Sequence, residues 1–221
     1  MLHANQISKS FFSSSGEVSI FKNLNFEAVP KTTSAIVGPS GAGKSSLLAI
    51  LAGLDLPDQG EVHLCGKVTK TLTESQKLQL RRYDIGFVFQ TFHLIPTFSA
   101  LENVELVLVA NHVKKSSELA TALLEQVGLG HRLNNLPSQL SGGECQRVAI
   151  ARAMAHNPKI IFADEPSGSL DQKTGDQVMD LLMEQAQKTN AALILVTHNE
   201  TYAKKCQYAF ELKDGSLQSI R

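Results

Sequence analysis

The nine residues GPSGAGKSS, Gly38 to Ser46, decide the fold. Gly38, Gly43, Lys44 and Ser45 satisfy the spacing G-x-x-x-x-G-K-[ST], a loop whose backbone N–H groups converge on phosphate oxygens where a helix begins. The flanks supply the context that spacing alone lacks. Ser34 to Val37 (SAIV) reads as a short buried strand running into the loop, and Lys44 to Leu54 (KSSLLAILAGL) reads as the helix after it. An ordinary glycine-rich turn is the bland alternative, and it leaves the strand-loop-helix order unexplained. In this geometry Lys44 reaches the β and γ phosphates of a nucleotide and the Ser45 hydroxyl ligates Mg²⁺.

Working outward, the chain alternates strand-like and helical runs, the pattern of an α/β fold with a P-loop core and a mainly parallel sheet. Ile85 to Phe89 (IGFVF), Ile160 to Ala163 (IIFA) and Leu193 to Val196 (LILV) are short and continuously apolar, as parallel strands covered on both faces are. The first thirty residues differ. Leu2 to Phe11 and Val18 to Val29 read as strands around the turn-rich SSSG, and Glu61 to Cys65 as a third, so an N-terminal antiparallel β subdomain is expected. Between Phe89 and Ile160 the pattern is helical: Leu119, Ala122, Leu123 and Val127 recur as one face of a packed helix. The closing FELKDGSLQSI places Asp-Gly between two strand-like runs and reads as a hairpin. One domain, 1–221, is therefore expected. Its antiparallel lobe covers 1–30 and 60–70, its P-loop core 31–59, 71–90 and 156–221, and an inserted helical lobe 91–155.

Composition narrows the function classes. Lys plus Arg and Asp plus Glu are each 21, so the formal charge is zero and no nucleic-acid partner is expected. The N-terminal MLHANQISKSFF lacks the apolar core of a signal peptide, and the longest apolar run, VELVLVA from Val104 to Ala110, is too short to span a bilayer. Cys65, Cys145 and Cys206 form no C-x-x-C pair and read as isolated thiols.

Two further stretches carry chemistry. IIFADE places Asp164 and Glu165 at the C-terminal end of a buried strand, the edge where open α/β sheets bind ligands. Asp164 is suited to hold Mg²⁺ directly or through water, and Glu165 to orient and polarise an attacking water; solvated strand-end carboxylates are the plain alternative. LSGGECQR, Leu140 to Arg147, places Ser141, Gly142 and Gly143 at the start of a helical run to Ala155, where a serine N-cap leaves free N–H groups as a second anion site or simply caps the helix.

LSGGE together with a Walker A loop and a Walker B strand resembles the ABC ATPase family over essentially the whole chain. The resemblance implies that the nucleotide is ATP, with Mg²⁺ as cofactor, bound through Gly38, Pro39, Ser40, Gly41, Ala42, Gly43, Lys44, Ser45 and Ser46. By the same resemblance Ser45, Gln90 and Asp164 serve the metal. Gln90, ending IGFVF, matches the Q-loop glutamine that senses Mg²⁺ and water. Ser169-Leu170-Asp171 matches the D-loop, and His198 matches the H-loop histidine at the γ phosphate. Phe11, with Phe12 as a neighbouring candidate, falls where the family has an aromatic that stacks on adenine. The family scheme makes Glu165, His198 and Gln90 the catalytic set. Cys145 and Asn199 depart from the commoner glutamine or arginine and aspartate, at positions that hold no phosphate in that scheme.

The family scheme further implies a homodimer formed on ATP binding, in which Ser141, Gly142 and Gly143 of one copy complete the phosphate site of the other. It implies an integral-membrane permease partner at the cytoplasmic face of a bacterial inner membrane. LLAILAGLD, GFVFQTFHLIPTFSALENVEL and ADEPSGSLD resemble the lipoprotein-release, macrolide-export and cell-division group, most of all its YbbA-type members. A soluble ABC ATPase acting on DNA or ribosomes is the alternative. Only 50 residues separate Gln90 from Ser141, and the chain has one ATPase domain rather than two.

Overall fold

In chain order the elements are β1 (Leu2–Ser13), β2 (Gly16–Ala28), β3 (Thr33–Val37), α1 (Lys44–Leu51), β4 (Gln59–Leu64), β5 (Lys67–Val68), α2 (Glu74–Tyr83), β6 (Ile85–Phe89), α3 (Ala100–Ala110), α4 (Ser116–Gln126), α5 (Gly142–Met154), β7 (Ile160–Asp164), α6 (Gln172–Lys188), β8 (Ala192–Val196), α7 (Glu200–Lys205), β9 (Tyr208–Lys213) and β10 (Ser216–Ser219). This computed structural model describes residues 1–13 and 16–221. Ser14 and Ser15, where the sequence places a turn, lie outside the described residues, as does the side chain of Phe12. The fold is mixed α/β, and the chain forms two compact units, Met1–Arg81 with Ala192–Arg221, and Arg82–Ala191.

The first unit holds an antiparallel sheet in the order β2-β1-β4-β5 and a second run of strands, β10-β9-β3-β8. β3 lies parallel to both β8 and β9. Every residue of β8 and all of β3 after Thr33 are buried, which is why both read as unbroken apolar runs rather than alternating ones. The β9–β10 hairpin forms at Asp214 and Gly215, both with positive φ (48° and 74°), the signature of the tight turn that Asp-Gly favours. Helix α1 ends at Leu51, three residues short of the expected Leu54, because the chain turns at Gly53 (φ 68°), whose N–H bonds back to Ile50.

The second unit pairs β6 with β7 in parallel, Ile85 to Phe89 against Ile160 to Asp164. Ala100, Val104, Leu108, Ala120, Leu124, Val148 and Ala151 form a core between α3, α4 and α5. The apolar face of α4 differs from the one expected. Ala120, Leu124 and, just beyond the helix, Val127 face the core, whereas Leu119 is 45% exposed and Ala122 is exposed. Two helical stripes one residue apart fit the same alternation of apolar letters, and contact with α3 selects the one that includes the small Ala120. VELVLVA lies within α3, with Val104 and Leu108 inward and Leu106 and Val109 outward. α3 opens with a capping box in which Ser99 and Glu102 satisfy each other's backbone N–H groups. The buried Asn103 ties down the preceding loop: its amide donates to Ile95, Phe98 and Ser99 carbonyls and accepts from the Ile95 N–H. No helix among the described residues is long and apolar enough to cross a membrane.

Candidate functional site

In the first unit the phosphate loop comes directly after the buried β3. Gly38 adopts φ 153°, and a Cβ there would lie 2.3 Å from the Leu212 carbonyl oxygen on β9, so the loop passes where only glycine fits. Gly43 caps α1 at φ 91°, and a Cβ there would lie 2.2 Å from Ile20 on β2. The first intrahelical bond runs from Leu47 N–H to the Gly43 carbonyl, so the N–H groups of Lys44, Ser45 and Ser46 precede the hydrogen-bond ladder at the positive end of the helix dipole. Lys44 is buried and its ammonium donates to the carbonyls of Gly38 and Pro39, both at 2.9 Å, folding back over the loop it ends. Pro39, Ser40 and Gly41 form the exposed crest of the loop, and the Ala42 N–H closes its turn on the Pro39 carbonyl.

The β1–β2 ribbon borders this loop through Ile20. Phe11 lies further toward the ribbon's tip, paired with Val18 and 46% exposed. Lys9, held by Asp55 at 3.0 Å and the Leu56 carbonyl at 2.9 Å, sits 5.6 Å from the centre of the Phe11 ring. His198 is exposed just past β8. Asn199, one of the two departures, caps α7: its side chain accepts from the Thr201 N–H. Asparagine does that work as well as aspartate.

In the second unit, β7 delivers Asp164 as its last residue, and Glu165 comes next in the left-handed region at φ 46°. A non-glycine residue there is strained and needs its surroundings to hold it. The Gly168 N–H closes the turn beyond it on the Glu165 carbonyl, and a Cβ at Gly168 would come within 2.8 Å of the Gln90 amide nitrogen. Gln90 is thereby brought beside the Glu165 turn. Ser169 donates to the Gln90 carbonyl at 3.1 Å, and Gln146 of α5 donates to the Phe89 carbonyl at 3.3 Å. Phe92 and His93 are both left-handed (φ 60° and 48°), and the Arg152 guanidinium donates to both of their carbonyls. The segment leaving β6 is thus gripped by the helix that begins at Ser141.

Ser141 caps α5 in a capping box. Glu144 accepts the Ser141 N–H and hydroxyl on one oxygen, each at 2.8 Å, and the Arg132 guanidinium on the other at 2.9 Å. These bonds, the Ser141 N–H foremost, hold the Glu144 carboxyl down at about 2. Gly142 and Gly143 pack α5 closely on its neighbours: a Cβ would fall 3.1 Å from Leu170 and 2.4 Å from Thr174 respectively. Asp171 caps α6 through the Thr174 N–H, a contact that lowers its carboxyl below the usual range. Cys145, the other departure, is buried, with its Sγ toward the Pro137 carbonyl and its thiol pushed up by burial. It is a packing residue.

Arg132, Gln146 and Arg152 escape a reading by sequence. The capping boxes at Ser99 and Ser141 do carry a signal, Ser-x-x-Glu, that reveals the role of Glu144 as well as that of the serine.

A sequence model described as ABC transporter matches residues 21–168. The chain belongs to that family. The cassette binds ATP and is an ATPase. It is 46% identical over 220 residues to the uncharacterized ABC transporter ATP-binding protein YbbA of Escherichia coli (strain K12), covering 99% of this chain and 96% of the relative. It is 45% identical to the lipoprotein-releasing system ATP-binding protein LolD of Legionella pneumophila (strain Paris), covering 98% and 96%. These relatives belong to the group that the wording of LLAILAGLD and ADEPSGSLD points to. Among solved structures, the cassette MJ0796, a dimer in a post-hydrolysis state bound to ADP and Pi, matches with a TM-score of 0.90 and 37% identity over 100% of this chain and 99% of that one.

Proposed function

We propose that this cassette dimerises on binding ATP with Mg²⁺ and drives a separate membrane permease at the cytoplasmic face of a bacterial inner membrane. The single observation that carries the dimer is the likeness to MJ0796, a dimer holding ADP and Pi. The local geometry supports it: Ser141 and Gly142 are exposed at a helix N-terminus, an anion-binding end presented outward. The LolD and YbbA relatives support the permease.

Each residue then has a part. Gly38 to Ser46 cradle the triphosphate, and Lys44 exchanges its two carbonyl partners for phosphate oxygens. Phe11 stacks on the base. The Ser45 hydroxyl, the Asp164 carboxylate and the Gln90 amide oxygen are hard oxygen donors, the kind Mg²⁺ takes one or two of beside phosphates and water; the ion, when bound, neutralises charge on the β and γ phosphates. Glu165 accepts the proton of the attacking water, Gln90 orients that water, and His198 contacts the γ phosphate. Ser141, Gly142 and Gly143 reach the γ phosphate of the other copy, and Asp171 lies at the same dimer face.

Two inactive variants test the shared site. Lys44→Ala lacks the phosphate lysine and Ser141→Arg blocks the signature. Mixed, they form a heterodimer with one doubly broken site and one intact site. ATP should therefore drive association of differently tagged partners in the mixture well beyond that of either variant alone, measured by pull-down. A mixture that associates no better than its components places all groups of each site in one chain and removes the dimer from the reading.

A further inference from the structure

We propose that Arg132 is a positioning residue for the signature serine: its guanidinium draws charge from Glu144 and loosens that carboxylate's hold on the Ser141 hydroxyl, which turns to donate to the γ phosphate bound by a second copy of this chain. The inference rests on the dimer reading above.

The hydroxyl of Ser141 has one proton, and here it goes to Glu144 Oε2 at 2.8 Å, while the oxygen accepts the Glu144 N–H at 3.3 Å. A serine so engaged offers an incoming phosphate only lone pairs. To bind the phosphate it must turn its proton outward, and an ionised carboxylate resists that turn because hydrogen bonds to an ionised acceptor are about twice as strong as neutral ones. The carboxylate also sets a negative charge one helical turn from where a polyanion is to dock, against the favourable dipole of α5.

Arg132 counters both effects through a single contact. Its Nε donates to Glu144 Oε1 at 2.9 Å, on the oxygen that Ser141 does not use. The Glu144 side chain is only 13% exposed, so its charge is met by the Ser141 N–H and by the guanidinium, its one cationic partner among the described residues, more than by solvent. Arg132 is itself fixed, since its N–H bonds to the Leu129 carbonyl and the neighbouring Leu133 and Asn135 carbonyls receive the N–H groups of Leu101 and Ala100 at the start of α3. The charge of Arg132 is thus aimed at Glu144 by its backbone. A glutamine at position 144 keeps an acceptor for the Ser141 N–H and removes the charge, so it makes Arg132 dispensable.

A double-substitution cycle in the slow-hydrolysing Glu165→Gln background tests this, reading the ATP concentration that half-dimerises the chain by light scattering. Arg132→Ala should raise that concentration roughly threefold to tenfold. Arg132→Lys should recover part of the loss. Arg132→Ala with Glu144→Gln should return to within about twofold of Glu144→Gln alone, because there is no longer a charge to mask. The denaturation midpoint of monomeric Arg132→Ala confirms that the variant is folded, and a purely structural role would leave the ATP requirement of the folded monomer unchanged. An unaltered requirement in Arg132→Ala overturns the inference, as does a loss that Glu144→Gln fails to cancel. If the Glu165→Gln chain with Arg132 intact never dimerises, the dimer reading falls and takes this inference with it; dimerisation indifferent to Arg132 leaves that reading standing and sinks this one alone.

Discussion

The two glycine-bearing motifs, Gly38 to Gly43 and Gly142 to Gly143, are written with the same letter for different physical reasons. In the phosphate loop Gly38, Gly41 and Gly43 all have positive φ, and at two of them a neighbour stands where a side chain would be. In the signature the glycines lie in the first turn of α5 with negative φ, and what bars a side chain there is proximity to Leu170 and Thr174. The first motif needs a conformation and, at two positions, a clearance as well; the second needs a clearance alone. Both expose N–H groups of a helix start, but the first is shaped by its own backbone and the second by what α6 and its approach press against it.

Substituting alanine at three of these positions separates the two requirements, with stability read by urea denaturation and ATP affinity by equilibrium titration. Gly38→Ala combines both penalties, a strained φ and a clash with the immovable carbonyl of Leu212, and should cost about 3 to 5 kcal/mol, with ATP binding lost alongside. Gly143→Ala meets only the methyl of Thr174, and alanine's better helix propensity offsets part of the clash, leaving about 1 to 2 kcal/mol. Thr174→Ser removes that methyl and should cancel most of the cost; a deficit that persists in the double variant means that clearance is not what the second motif needs. Gly41→Ala meets open space and bears only the left-handed penalty, about 1 kcal/mol, while Gly41→Asn stays within about 0.5 kcal/mol. If Gly41→Ala proved as damaging as Gly38→Ala, the division into conformation and clearance would collapse.

The same contrast explains what could be read from the sequence. The phosphate loop is local: strand, loop and helix occupy adjacent residues, and spacing alone reports their geometry. β3, β6, β7 and β8 are legible for the related reason that strands buried on both faces leave unbroken apolar runs. The grip on the segment after β6 is not local. Arg152 lies 60 positions from Phe92, and nothing near either residue announces the other. Arg132 is hidden in the same way, although Ser141-x-x-Glu144 is plain in the sequence. The face of α4 is misplaced by one residue when periodicity alone decides it, because a period gives a stripe's spacing but not its phase where apolar residues are adjacent, as Leu123 and Leu124 are.

Glu165 carries a consequence for selection. At φ 46° its backbone would be more comfortable as glycine or asparagine, so on the role proposed for Glu165 stability and chemistry pull this position in opposite directions. A library sorted only for resistance to heat should drift toward those two residues at the end of β7, and one sorted for turnover should drift back to the carboxylate. The turn between Asp164 and Gly168 is therefore a poor place to seek thermostability and a sensitive indicator of which pressure a lineage has been under.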